Sequence, residues 1–324
     1  MNLNLQSLRG LCALVIFLHH ACAVTAFSSD AADMTIAVFF MLSGLTLSMA
    51  NDGRHISLRP FMRRRLAHLY PLYIVCQFVA LAVFPIAGVA AILKFGVSLG
   101  MAQTWWYMPY MALIGNPVAW FASSLMLIYF FYPFMHNALL RHPRRFSAAA
   151  ATAFAIYFAA VPLVPESKAY FYIYVWPLSR MFDFVLGMLL WEAIKVLRAK
   201  KMTAGDGAIA LSAVLTAIFL VVGPCIEQNF RYASWWWLPA AALILSLALS
   251  DDSGAKTTRL LHSRITVEFG NISFSFYMVH MIVIHTLDKW LGGAWLIAAA
   301  FVASTAAAYA LQRWFVGPLN LRLR

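Results

Sequence analysis

Charge is scarce in this chain: only 11% of its 324 residues are Asp, Glu, Lys or Arg, and just 12 are acidic. A water-soluble domain carries about 25% charged residues, so this chain lacks the polar surface to cover itself in water. That shortage excludes a soluble enzyme, and an apolar share of 63% excludes a disordered protein. Cysteine is scarce as well. Cys12, Cys22, Cys76 and Cys225 show no C-x-x-C spacing, so neither a metal site nor a redox pair is expected. Most of them lie in or beside apolar runs, where a small buried hydrophobe is the plain reading. Internal repeats, low-complexity stretches and long polar linkers are also missing, so residues 1–324 read as a single integral-membrane domain.

What is present is long apolar runs. A spanning helix needs about 20 mainly apolar residues, and the sequence predicts about ten, near 8–27, 34–50, 70–92, 118–138, 147–163, 176–197, 207–224, 232–249, 270–290 and 293–313. The predicted fold class is therefore all-α, a polytopic bundle of membrane helices. The first run starts behind a single Arg and Ala21-Cys22-Ala23 is a poor cleavage site, so it reads as a span and not as a signal peptide. The stretch 95–114 is ambiguous, because Gly96, Gly100, Gln103 and Pro109 interrupt it and Trp105, Trp106, Tyr107 and Tyr110 crowd it.

The basic residues settle that ambiguity. With 93–117 kept on one side as an external or re-entrant segment, alternate loops and the termini collect 19 of the 24 Lys and Arg. They are Arg9; Arg54, Arg59, Arg63, Arg64 and Arg65; Arg141, Arg144 and Arg145; Lys195, Arg198, Lys200 and Lys201; Lys256, Arg259 and Arg264; and Arg313, Arg322 and Arg324. Lys94, Lys168, Arg231 and Lys289 fall on the other side, and Arg180 lies within a span. The bias predicts that both termini and the basic loops are cytoplasmic. The net charge of +12 is thus a sidedness signal, and no nucleic-acid partner is expected.

Ionisable groups inside spans are expensive and tend to mark function. Arg9 and His20 stand eleven residues apart on the first span, roughly 16 Å along one helix, with His20 about two-thirds of the way across. His20 takes up a proton near neutral pH as few side chains do, or it is satisfied by a neighbouring helix. His19 points about 100° away and reads as structural. The run R-P-F-M-R-R-R-L-A-H-L-Y-P, 59–71, with Arg63, Arg64, Arg65 and His68, is either a topology signal or a phosphate clamp, with Pro71 marking the helix start. Arg180 and Asp183 are three apart on one face, as a neutralising pair or as groups facing a cavity. Tyr277 and His280 fall near the cytoplasmic half of the ninth span, for packing and hydrogen bonding or for substrate.

Together these segments resemble the acyltransferase 3 family of bacterial membrane O-acyltransferases. The likeness rests on L-R-G-L-C-A-L-V-I-F-L-H-H-A at 8–21, V-F-F-M-L-S-G at 38–44, R-R-R-L-A-H-L-Y-P-L-Y at 63–73, N-P-V-A-W at 116–120, R-M-F-D-F-V-L-G at 180–187 and I-S-F-S-F-Y-M-V-H at 272–280. The resemblance implies transfer of an acyl group, most often acetyl, from cytoplasmic acetyl-CoA or another acyl-CoA to a hydroxyl of a saccharide or polysaccharide outside the bilayer. The implied setting is the bacterial inner (plasma) membrane. It implies His20, with Arg9, as the catalytic pair, and Arg63, Arg64, Arg65 and His68 as the donor's anion site. Trp120, Arg180, Asp183, Tyr277 and His280 are expected on the acceptor side. The chain departs from the family's pattern in three places: His68 stands where a second Arg is usual, and Leu125 and Val316 stand where Glu is common. A transporter or flippase of a polysaccharide precursor, or a divergent family member, is the competing expectation.

Overall fold

The computed structural model describes residues 2–22, 26–108, 110–250 and 254–318, with backbone alone at 26–28. Pro109, Arg322 and Arg324 lie outside the described residues. Fourteen α-helices run through them: α1 Leu3–Ala21, α2 Ala26–Ala50, α3 Leu58–Ala80, α4 Val89–Leu99, α5 Trp120–Arg141, α6 Pro143–Ala160, α7 Glu166–Ala169, α8 Pro177–Ala199, α9 Asp206–Val222, α10 Gln228–Tyr232, α11 Trp237–Leu249, α12 Lys256–Leu261, α13 Arg264–Leu287 and α14 Gly293–Ala310. Two π-helical turns, Tyr170–Val175 and Leu311–Val316, lead into α8 and follow α14.

The fold is an all-helical, polytopic membrane bundle. Seven helical stretches among the described residues are long and apolar enough to cross a bilayer, and eight if Glu166–Val175 and α8, bent by 44°, count as one. Each of the ten predicted runs overlaps a helix, but α1 and α3 do not qualify by composition. In α3 the reason is the basic run, whose Arg59, Arg63 and Arg64 are exposed, and in α1 it is polar groups that find partners in the bundle. Asn4 donates to the Leu247 carbonyl at 3.1 Å and Gln6 to Asn271 at 3.0 Å, so α1 tolerates side chains that a lipid-facing helix would not.

Several boundaries move. Helix α2 begins eight residues before the expected start at 34, because Asp30 is neutralised by Arg231 at 2.8 Å. Helix α3 begins at Leu58 and carries the basic run within it, so Pro71 lies inside the helix and does not start it. Helix α13 begins at Arg264, six residues early, behind the Ser263 cap. His280 is therefore sixteen residues from the start of α13, roughly 24 Å along its axis, and not in the first half of the span.

Burial sorts the helices into layers. The apolar windows of α2 and α5 are 78% and 72% buried, whereas that of α6 is 6% buried. Helix α6 is apolar all round yet exposes Ile156 and Phe158, which is how a helix facing lipid reads. At the centre, α2 crosses α8 and α1 runs parallel to α13, each pair in backbone contact at glycines. A Cβ on Gly187 would fall 1.9 Å from the Met41 carbonyl oxygen, and one on Gly270 would fall 2.1 Å from that of Gln6. Small residues at such crossings let helices approach where no hydrophobic force draws them together.

Basic groups gather at one end of the bundle. Lys195 meets Asp52 at 2.7 Å, Arg198 donates to the Ala248 carbonyl, and His136 reaches the Arg54 carbonyl. We call this the basic end. Helix α4 and the loop after it dock in the other half. There Tyr73 donates to the Ser98 carbonyl at 2.6 Å, and Asn116 donates to Gln77 at 2.9 Å and to the Met278 carbonyl at 2.8 Å. Gln103 is fully buried, whereas Tyr110 is 87% exposed. A Tyr110→Cys variant with the four native cysteines replaced is therefore expected to react with an impermeant maleimide from the side away from the basic loops. Reaction from the basic side alone would contradict this placement.

Candidate active site

The residues singled out in sequence fall into three groups. His20, the penultimate residue of α1, lies against α13, with its Nδ1 2.8 Å from His280 Nε2 and the two rings stacked at 5.1 Å. His280 is fully buried, wedged against Phe276 and Phe17. Its Nδ1 is 2.7 Å from the Tyr277 carbonyl. A carbonyl only accepts, so His280 carries its proton on Nδ1 and its Nε2 is an acceptor. That acceptor takes the Nδ1 proton of His20. The lone pair of a neutral His20 is thereby placed on Nε2, the nitrogen turned away from the pair. A carbonyl three residues upstream on α13 thus sets the tautomer of both rings.

The second group surrounds a cavity of about 1160 Å³ at the basic end. Arg64, Arg65 and His68 of α3 line it, and so do Arg264 and Asn271 of α13 and Gln312 and Arg313 of the π-turn after α14. Among the described residues Glu268 is the single carboxylate on its wall. Arg63 is exposed and does not line the cavity. Arg65 packs over the Phe61 ring at 5.4 Å, and its buried Nε has no partner. Both Arg65 and Arg9 lie within electrostatic reach of the Tyr129 hydroxyl. Arg9 also donates to Thr46 at 2.8 Å, which joins α1 to α2 beside the cavity. From Ile272 in the cavity wall to His280 is eight residues of α13, roughly 12 Å.

The third group is on the far side of the His pair. Arg180 and Asp183 pair at 3.0 Å and are 2% and 1% exposed. Arg180 also donates to the Ile173 carbonyl at 2.9 Å and to the Tyr232 carbonyl, and Trp237 donates to Asp183 at 2.5 Å. The pair and its bonds to backbone and to Trp237 brace α8 against the π-turn and α11. Removing either partner would strand a buried charge, at about 3–5 kcal/mol. Trp120 is buried against Tyr174 at 5.3 Å, and Tyr277 sits 5.7 Å from His280. Leu125 is buried in the apolar core, as is Val316, so neither position where the family often has Glu offers a polar group here.

The sequence alone marks Arg264 and Arg313 only as sidedness charges and leaves Asp30 and Asp33 before the second span. The charges of Arg264 and Arg313 were visible, but not that a parallel α1/α13 pair and a π-turn bring them to face the basic run.

A histidine pair inside a membrane bundle, eight residues of α13 from a basic cavity, marks a polar site in a multi-pass protein. The comparisons narrow this class. The acyltransferase 3 family, described as an acyltransferase domain, matches residues 2–313, and the chain belongs to it. The chain is similar to the "Acyltransferase MdmB" of Streptomyces mycarofaciens, 28% identical over 339 residues, covering 95% of this chain and 85% of the relative. No solved structure matches significantly. The protein is a membrane acyltransferase that transfers groups other than amino-acyl groups.

Proposed function

We propose that this chain moves an acyl group, with acetyl the first expectation, from acyl-CoA bound at the basic end to a hydroxyl of a saccharide approaching from the other end. The observation that carries the reading is the His20–His280–Tyr277 relay, which leaves an unprotonated Nε2 on His20. In the proposed step His20 Nε2 removes the proton of the acceptor hydroxyl as its oxygen attacks the thioester carbonyl carbon. The new C–O ester bond forms, the C–S bond breaks, and the leaving thiolate recovers the proton from the imidazolium. The basic cavity supports the donor half. Coenzyme A is a multiply phosphorylated anion, and guanidinium forks match phosphate oxygens in pairs. Arg64, Arg65, Arg264 and Arg313 enclose a volume large enough for its nucleotide. Arg9, roughly 16 Å from His20, stands on the donor's route between cavity and relay and not at the reacting carbon. Under the positive-inside rule the basic end faces the cytoplasm of a bacterial cell, where acyl-CoA is made.

The test is donor affinity. Arg64→Ala and Arg313→Ala are each expected to weaken acetyl-CoA binding by the purified protein about tenfold, the loss of one charge-assisted contact. An exposed neighbour, Arg63→Ala, is expected to change it little. Unchanged affinity in both cavity variants would return these arginines to a topology role and remove the donor site from this cavity.

A further inference from the structure

At the end away from the basic cavity, polar side chains converge beside the histidine relay in a way that the donor site and the relay do not use. Asp30 and Asp33 belong to α2, Tyr170 and Tyr174 to the π-turn before α8, and Arg231 and Tyr232 to α10. Arg231 is paired with Asp30, and Arg180 with Asp183. Among the described residues no cation comes within ion-pair distance of Asp33. Its carboxylate accepts a hydrogen bond from the Tyr174 hydroxyl. The Tyr170 hydroxyl lies within electrostatic reach of both Asp33 and Tyr277, and Tyr277 touches His280. Asp33, Tyr170 and Tyr174 therefore lie in the neighbourhood of Tyr277, the residue that touches the relay.

Aromatic rings pack around these groups. Tyr174 packs on Trp120 at 5.3 Å and on Tyr232 at 4.9 Å. Phenolic rings offer an apolar face with a polar tip. A carboxylate accepts hydroxyl protons, and phenols both give and take them. That combination suits a molecule with many hydroxyls on a compact carbon ring. Hydrogen-bonding capacity is also left over: Asp30 Oδ2, on a fully buried side chain, and Arg231 Nε make no bond. These atoms are free to accept or donate one further hydrogen bond.

We infer that Asp33, with Tyr170 and Tyr174, binds the acceptor and presents one of its hydroxyls to His20. This rests on the acyl-transfer reading above and adds the residues that hold the acceptor. A carboxyl group and phenols that give and take hydroxyl protons suit a polyhydroxylated acceptor, and Arg180 and Arg231 lie within electrostatic reach of Asp33. The division of labour is then between arginines that hold the anionic donor at one end and hydroxyl-bonding groups that hold the acceptor at the other.

The experiment uses the full chain in its native cells. Alkali-labile acyl groups on the cell-surface saccharide fraction are measured for wild type, a strain lacking the protein, Asp33→Asn, Asp33→Glu and Tyr174→Phe. Acetyl-CoA binding is measured in parallel on each purified protein. Asp33→Asn is expected to lower the ester at least about tenfold with acetyl-CoA affinity unchanged, since a hydrogen bond to a charged group is lost. Tyr174→Phe should lower it less, and Asp33→Glu should restore part of it. A wild-type ester level in Asp33→Asn would overturn the assignment. Equal loss of ester and of acetyl-CoA binding in both Asp33→Asn and Tyr174→Phe would also overturn it, marking a purely structural role. If wild-type cells carry no more ester than cells lacking the protein, the acyl-transfer reading itself fails.

Discussion

Replacing His20 by alanine is expected to lower acyl transfer by about 10²–10⁴-fold, the usual contribution of a positioned general base. The protein should still insert, and it should still bind acetyl-CoA, because His20 stands at the far end of α1 from the arginine-lined cavity. That separation makes the experiment decisive. A loss confined to turnover assigns His20 to chemistry, whereas a parallel loss of donor affinity assigns it to packing. His280 offers an internal check on the relay. His280→Gln keeps a side chain able to accept from His20 but loses the ring fixed by the Tyr277 carbonyl, so its activity should fall between wild type and His20→Ala.

The second large effect concerns the crossing of α2 and α8. Gly44 and Gly187 face each other's helix so closely that a Cβ on either would lie 2.0 or 1.9 Å from a carbonyl oxygen. The obstacle is backbone and cannot rotate aside. Gly187→Val is therefore expected to lie at or beyond the upper end of the range for overpacking, about 3 kcal/mol, with sharply reduced accumulation in the membrane and loss of both donor binding and transfer. Gly207, on the exposed side of α9, has nothing within 4 Å of a Cβ position. Gly207→Ala is the control and should accumulate and melt in detergent like the wild type. Normal thermal stability of Gly187→Val would mean that the two helices are not in backbone contact.

These glycines explain part of what the sequence motifs are for. V-F-F-M-L-S-G ends at Gly44, R-M-F-D-F-V-L-G ends at Gly187, L-R-G contains Gly10, and Gly270 precedes N-I-S-F-S-F-Y-M-V-H. In sequence they drew attention for Arg9, Asp183 or His280, while the glycines passed as ordinary members of apolar runs. Nothing in a single helix reveals which partner will press against it. Arg9 and His20, by contrast, were legible because each interrupts an otherwise apolar run. The sidedness of Lys and Arg was legible because it is a property of loops and needs no knowledge of packing.

The acceptor-side carboxylates show the opposite case. Asp30 and Asp33 look like the end of a span when hydropathy alone is weighed, and so α2 was expected to begin at 34. Their place inside the helix depends on Arg231 and Tyr174, 201 and 141 positions away. Likewise, Arg264 and Arg313 are sequence-distant from Arg64 and Arg65, and only the fold makes one cavity of them. Arg180 and Asp183 were readable as a pair from spacing. That the pair is enclosed, with bonds to the Ile173 and Tyr232 carbonyls and to Trp237, follows only from the fold.

The central claim is transfer between two ends of one bundle through His20, and sealed vesicles test it most directly. With acyl-labelled acetyl-CoA supplied to the face carrying the basic loops and the cell's surface saccharide on the other, label should appear as alkali-labile ester on the saccharide for wild type. For His20→Ala it should fall to background although acetyl-CoA remains bound. Ester formed at the wild-type rate by His20→Ala, or formed only when donor and acceptor are on the same face, would contradict the account.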